Sequence, residues 1–96
     1  MPPLSSIKVT VNFIKEDKQV VAYAPALDIS TVGKSQAEAT KRFEELVRIF
    51  LKDISERHVV DEVLGELGWT KVSHNRKSQW VPPSVTSVDL QIPAVA

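Results

Sequence analysis

The side chains able to move protons or hold ions are scattered along this sequence. Asp28 follows Pro25 by three residues, His58 follows Ser55-Glu56-Arg57, and His74 lies in a polar stretch after Trp69. Metal-dependent phosphodiester hydrolysis needs carboxylates that converge on two cations. Asp28 is the only acid in the strand-like part of the N-terminal third, and one carboxylate at a corner reads as a turn residue. Neither histidine has a serine and an acid arranged beside it for nucleophilic catalysis, so both read as surface groups. The absence of cysteine excludes disulfides, thiolate nucleophiles and cysteine zinc sites, and fits a reducing compartment. No catalytic residue, metal ligand or cofactor is assigned. The expected class is a binding protein rather than an enzyme.

A second group has binding chemistry. Lys71, His74, Arg76 and Lys77 fall between Trp69 and Trp80. Exposed aromatic rings beside cations stack bases while the cations neutralise phosphates, so one reading is an RNA-binding hairpin over 69–80. The other is a solvated charged loop above two buried tryptophans. Twelve basic and twelve acidic residues cancel, which removes any global field towards phosphate backbones or anionic lipid. Nucleic-acid contact would be local, and it is the less favoured reading.

The elements that position these groups follow from hydrophobic period. Ile7, Val9, Val11 and Phe13 alternate with Lys8, Thr10 and Asn12, which predicts a half-buried strand over 7–14. Lys15-Glu16-Asp17-Lys18 is a charged turn, and Gln19 to Ala24 forms the second arm of an antiparallel hairpin. Pro25 cannot donate a ladder hydrogen bond and ends that arm; Leu27 to Val32 makes a third strand. Ser35-Gln36-Ala37-Glu38 is a capping box, with the Ser35 hydroxyl accepting from the Glu38 N–H and the Glu38 carboxylate reaching back to Ser35. A helix is therefore expected from Ser35 to about Glu56. Ala39, Phe43, Leu46, Val47, Phe50, Leu51 and Ile54 share an arc of roughly 140°, and Glu38–Arg42 and Glu44–Arg48 are favourable pairs four apart. Ile49 falls off the arc, either as a partner contact or as an ordinary exposed apolar residue.

Val60, Val63, Leu64 and Leu67 repeat at helical spacing before Gly68, a C-terminal cap. Trp69 to Val72 and Gln79 to Val81 flank the polar loop 73–78 as a small hairpin, stopped by Pro82-Pro83. Val88, Leu90 and Ile92 alternate with Asp89 and Gln91, which predicts a last strand. The 96 residues are thus expected to form one α+β domain: a three-stranded antiparallel meander packed on one long helix, then a short helix and C-terminal strands. The core runs over about 7–56 and the extension over 57–96. Met1-Pro2-Pro3-Leu4 has no basic start or apolar follow-on, and no apolar run reaches about 18 residues, so the expected location is the cytoplasm, away from membranes.

The run Tyr23-Ala24-Pro25-Ala26-Leu27-Asp28-Ile29-Ser30-Thr31-Val32-Gly33-Lys34-Ser35-Gln36-Ala37-Glu38-Ala39 resembles the signature of HicB-like antitoxins: a Tyr-x-Pro-x-Leu corner, a Gly-x-Thr/Ser helix start and a Glu-Ala pair. The similarity spans roughly 7–51. Ser35 replaces the commoner threonine, and the 15–18 turn lacks the family's usual glycine. The resemblance implies a partial ribonuclease-H-like fold without its catalytic carboxylates, and neutralisation of a HicA-like ribonuclease toxin by covering it. Residues 73–96 are not expected to form the family's C-terminal DNA-binding module. Contacts to a protein partner are expected at Arg48, Ile49 and Lys52 and along Val88, Leu90 and Ile92. The last strand would extend a sheet within the monomer or across a homodimer or higher homo-oligomer.

Overall fold

A computed structural model of the chain describes residues 7–74 and 77–94. Strands β1 (Asn12–Lys15), β2 (Val20–Ala24) and β3 (Ile29–Gly33) form an antiparallel sheet in that order. Helices α1 (Gln36–Glu56) and α2 (Val60–Glu66) follow, and strands β4 (Thr70–His74) and β5 (Lys77–Val81) close a separate antiparallel ribbon. This is the α+β arrangement expected from the hydrophobic periods.

The meander is registered by its turns. Glu16 donates its backbone N–H to the Gln19 carbonyl at 2.9 Å, and the Gln19 side-chain amide reaches the Glu16 carboxylate at 2.7 Å, so Lys15 belongs to β1 rather than to the turn. The β2–β3 corner, Pro25 to Asp28, closes with Leu27 N–H to Ala24 at 3.2 Å and Asp28 N–H to Pro25 at 3.3 Å. Asp28 has φ +52°, a left-handed conformation that aspartate tolerates better than most residues. Leu27 is buried inside this corner, and β3 begins two residues later than expected. Val20, Ala22 and Ala24 point to the buried face, opposite Gly33, Thr31 and Ile29 of β3.

Helix α1 lies on that face, against β3 and β2. The Ser35 hydroxyl accepts from Glu38 N–H at 3.1 Å, as the capping box requires, but the Glu38 carboxylate accepts from the backbone N–H of Lys34, at 3.3 Å, rather than from Ser35. Arg42 pairs with Glu38 at 3.2 Å and donates to the Val32 carbonyl at 2.9 Å. The expected Glu44–Arg48 pair is not among the ion pairs of the described residues. Ala39, Phe43 and Ile54 are buried and Val47, Phe50 and Leu51 pack beside them; Leu46, at the far margin of the arc, stays exposed.

Both helices end in the same six-residue device. After α1, Val59 N–H reaches Ile54 O at 2.9 Å and His58 N–H reaches Ser55 O at 3.1 Å; after α2, Trp69 N–H reaches Leu64 O at 2.9 Å and Gly68 N–H reaches Gly65 O at 3.0 Å. These are Schellman caps, which need a left-handed residue after the helix. Gly68 supplies it at φ +92°, and His58 supplies it at φ +58°. His58 therefore has a place in the fold that its sequence context does not advertise. The second cap delivers Trp69, whose indole N–H donates to the buried Ala26 carbonyl at 2.8 Å, so the end of α2 is pinned to the β2–β3 corner.

Two expected strands change. Residues 7–11 keep the alternation, with Ile7, Val9 and Val11 half-buried and Lys8 and Thr10 exposed, but ladder pairing starts only at Asn12. The register explains why: carried further, it sets Thr10 against Pro25, which turns away and has no N–H. Residues 82–94 form no strand, and Val88, Leu90 and Ile92 are 68%, 73% and 76% exposed. Alternation prepared this segment for a sheet, and no described strand pairs with it.

Candidate functional site

One helix does not cover three strands and the segment before them. Neighbouring strands stand about 4.8 Å apart and a helix with its side chains is about 10–12 Å wide, so α1 over β2 and β3 leaves β1 bare. Phe13 and Lys15 lie opposite Ala22 and Val20, on the helix-facing side, yet every residue of β1 is exposed. Between this uncovered strip and the flank of α1 runs a groove of about 510 Å³. Its floor and walls are apolar, from Ile7, Val9, Val11 and Phe13 on one side and Phe43, Val47 and Leu51 on the other; Thr40, Glu44 and Arg48 supply polar groups, and Lys8 borders it between Ile7 and Val9. The sequence reading did not anticipate this groove. Counting one long helix against three strands was the available signal.

The partner residues expected on α1 divide around it. At about 100° per residue, Arg48 lies about 60° from Leu51 and Lys52 about 40° beyond Arg48. Arg48 lines the groove and Lys52 follows it outward. Ile49 lies about 100° beyond Arg48, away from the groove, and is 66% exposed. The ion pairs among the described residues are Arg42–Glu38, Arg57–Asp53 and Lys71–Asp61, which leave Glu44, Arg48 and Lys52 unpaired there. Val88, Leu90 and Ile92 do not join these helix residues. Residues 84–94 are exposed throughout.

The aromatic and basic hairpin resolves differently. Trp69 is 4% and Trp80 7% exposed, so neither indole offers a free face on which a base could stack. Lys71 holds its ammonium 5.8 Å from the centre of the Trp80 ring and 3.6 Å from the Asp61 carboxylate. Both contacts are internal to the fold, and the Lys71 side chain stays partly exposed. The loop expected over 73–78 is largely ladder, with Ser73 paired to Ser78 and His74 to Lys77. Arg76 lies outside the described residues, as do the side chains of His74 and Lys77. Asp28 is exposed in its corner, with the Tyr23 hydroxyl 3.4 Å from its carboxylate. Among the described residues no group of three or more histidines and acids is placed to hold a metal ion, and no helix is long and apolar enough to cross a membrane.

Comparison with models of protein families, with curated proteins and with solved structures returned no match for this chain.

Proposed function

We propose that the chain is a cytoplasmic protein-binding module of the HicB antitoxin kind, which neutralises a HicA-like ribonuclease toxin by occlusion. The observation that carries this reading is the groove beside α1, about 510 Å³ in volume with apolar walls and open along the bare strip of β1. Apolar surface left in water is unfavourable by roughly 25 cal/mol per Å², and a contiguous apolar hollow with a polar margin is the form a protein interface takes. Glu44 offers an acceptor and Arg48 a donor within the groove, and Lys52 extends the contact along the helix. The module itself performs no chemistry. It works by placing its own backbone and side chains where RNA would enter the toxin.

The resemblance of residues 23–39 to the HicB signature supports the same reading. The corner, the glycine and the capped helix start are all realised as structural devices here. A partial ribonuclease-H-like architecture, with the sheet and α1 as its remnant, belongs to this proposal as well.

The test is biochemical. A HicA-like ribonuclease, taken from the reading frame adjoining that of this chain, is mixed with RNA and increasing amounts of the purified chain. Cleavage is expected to stop near equimolar protein, and Glu44→Lys with Arg48→Glu is expected to raise the amount needed at least about tenfold, or 1.4 kcal/mol of binding free energy. RNA cleavage that persists at large excess of the unaltered chain rejects the antitoxin role. Inhibition that is indifferent to Glu44 and Arg48 rejects the groove as its surface.

A further inference from the structure

The segment after Pro82-Pro83 is the part of the molecule that the fold leaves unused. Val88, Leu90 and Ile92 carry one apolar face at the period of a strand and expose it to water. The groove carries the complementary vacancy: Ile7, Val9 and Val11 present a half-buried apolar row at the same period, with backbone groups outside the β1–β2 ladder. We propose that the 85–92 segment of a second copy of this chain adds as a strand beside residues 7–11 and lays Val88, Leu90 and Ile92 into the groove, giving a strand-exchanged homodimer. The inference rests on the groove being a docking site, as the proposed function does, and names its occupant in the free protein.

Three observations favour this occupant and this edge. The opposite edge of the sheet is guarded, because Arg42 occupies the Val32 carbonyl of β3 at 2.9 Å, and charged side chains at an edge oppose strand addition. Charge also fits. With the apolar rows facing α1, Asp89 and Gln91 share a face with Lys8 and Thr10, and the proposed register sets Asp89 opposite or diagonal to Lys8, within reach for a cross-strand pair. The point of departure fits as well. Pro83 lies against Gly68, where an added Cβ would stand 3.4 Å from the Pro83 Cβ, so the tail starts at the end of α2, and its residues 84–94 are exposed and free to pair elsewhere. Two copies related by a two-fold axis satisfy both grooves at once, the closed isologous arrangement.

Light scattering with sedimentation over a micromolar to millimolar range decides the matter. The unaltered chain is expected to be a dimer. A chain ending at Ser84, and separately Leu90→Asp, should be monomeric, with dimer affinity lowered at least about 100-fold. Both are expected to keep the monomer fold, because residues 85–94 are exposed there, and an unchanged circular dichroism spectrum verifies it. Lys8→Glu and Asp89→Lys should each weaken the dimer about tenfold, and the combined variant should recover most of it. A monomer at every concentration, a dimer that survives truncation, or no recovery in the charge swap overturns the proposal. The toxin assay separates the two ideas. Loss of the dimer on truncation together with no inhibition by any form retains strand exchange and rejects the antitoxin role; inhibition by a chain that is always monomeric does the reverse.

Discussion

The two halves of the molecule are packed on opposite plans. Where the start of α1 meets β2 and β3 the contact is made of small residues, with Phe43 and Ile54 buried further along the helix: Ala22, Ala24 and Ala39 have no exposed surface, and a Cβ added at Gly33 would stand 2.5 Å from the backbone nitrogen of Ala39. Around α2 and the β4–β5 ribbon it is made of large ones, with Leu64, Trp69 and Trp80 buried. The first half is held by how closely a helix backbone approaches a sheet backbone, the second by how much apolar surface a few side chains remove from water. Close approach is spoiled by adding atoms, and bulk is spoiled by removing them. The groove belongs to the first plan. A helix drawn tightly onto β2 and β3 by alanines and a glycine leaves β1 without a cover.

The largest effect should come from removing bulk. Trp69→Ala deletes a buried ring and strips the Ala26 carbonyl of its 2.8 Å donor, and truncations of this kind are worth about 4 kcal/mol. Urea unfolding should show a loss of that size. A loss below about 1 kcal/mol would mean that the second half contributes little to the cooperative unit. Next comes addition in the first half. Gly33→Ala inserts one methyl carbon against backbone atoms that cannot rotate away, with Ala39 N at 2.5 Å and Ala39 Cα at 2.9 Å. The helix start must lift, at a cost of about 3 kcal/mol, the upper end for overpacking. A tolerated Gly33→Ala would refute close approach as the plan of this half. Because lifting α1 also reshapes the groove, the same variant should weaken any partner held there.

These two positions differ in how readable they were. Gly33 stands in the resemblance as a family feature, and its role became physical only when the Ala39 backbone was found beside it. Trp69 was recognisable from sequence as a core or interface residue, whereas its bond to Ala26, 43 positions away, is a tertiary fact that no local pattern encodes. The capping box and the α1 arc were legible because both are written within a few residues of themselves. The last strand was misread for the converse reason. Alternation in Val88, Leu90 and Ile92 states which side of a strand would be apolar, but the ladder partner that makes a strand must come from elsewhere. The shortened β1 has the same origin, since Pro25 limits it from across the hairpin. Of the candidate site, Arg48 was legible only as an exposed helix residue suited to a partner contact, and it lines the groove; the groove itself arises from a missing cover, which leaves no mark in the segments that line it.

The caps give a smaller contrast between the halves. Gly68 at φ +92° and His58 at φ +58° do the same work, but a side chain with a Cβ in the left-handed region is disfavoured by roughly 1–2 kcal/mol. His58→Gly should therefore stabilise the protein by about 1 kcal/mol, reduced somewhat by the greater freedom glycine gives the unfolded chain. His58 has no ion pair or side-chain hydrogen bond among those of the described residues, so little is lost with the imidazole. A shift of the thermal midpoint upward by several degrees would register it. No gain, or a loss, would show that the first helix end is not strained by its histidine.

The smallest effect lies at Gly65, within α2, and it tests whether the second half accepts added atoms where the first does not. Nothing lies within 4 Å of a Cβ built there, and the residue is exposed in the helix. Its φ is not among the positive values found at Asp28, His58 and Gly68, so alanine adopts the backbone without strain. Glycine in a helix is less favourable than alanine by up to about 1 kcal/mol, chiefly through the freedom it regains on unfolding. Gly65→Ala should consequently stabilise by about 0.5–1 kcal/mol, with Trp69 fluorescence unchanged in the folded state. The same one-carbon addition is then expected to carry opposite signs at Gly33 and Gly65. Equal destabilisation at both would mean that α2 is as tightly enclosed as the start of α1, and the contrast between a half built on closeness and a half built on bulk would fail.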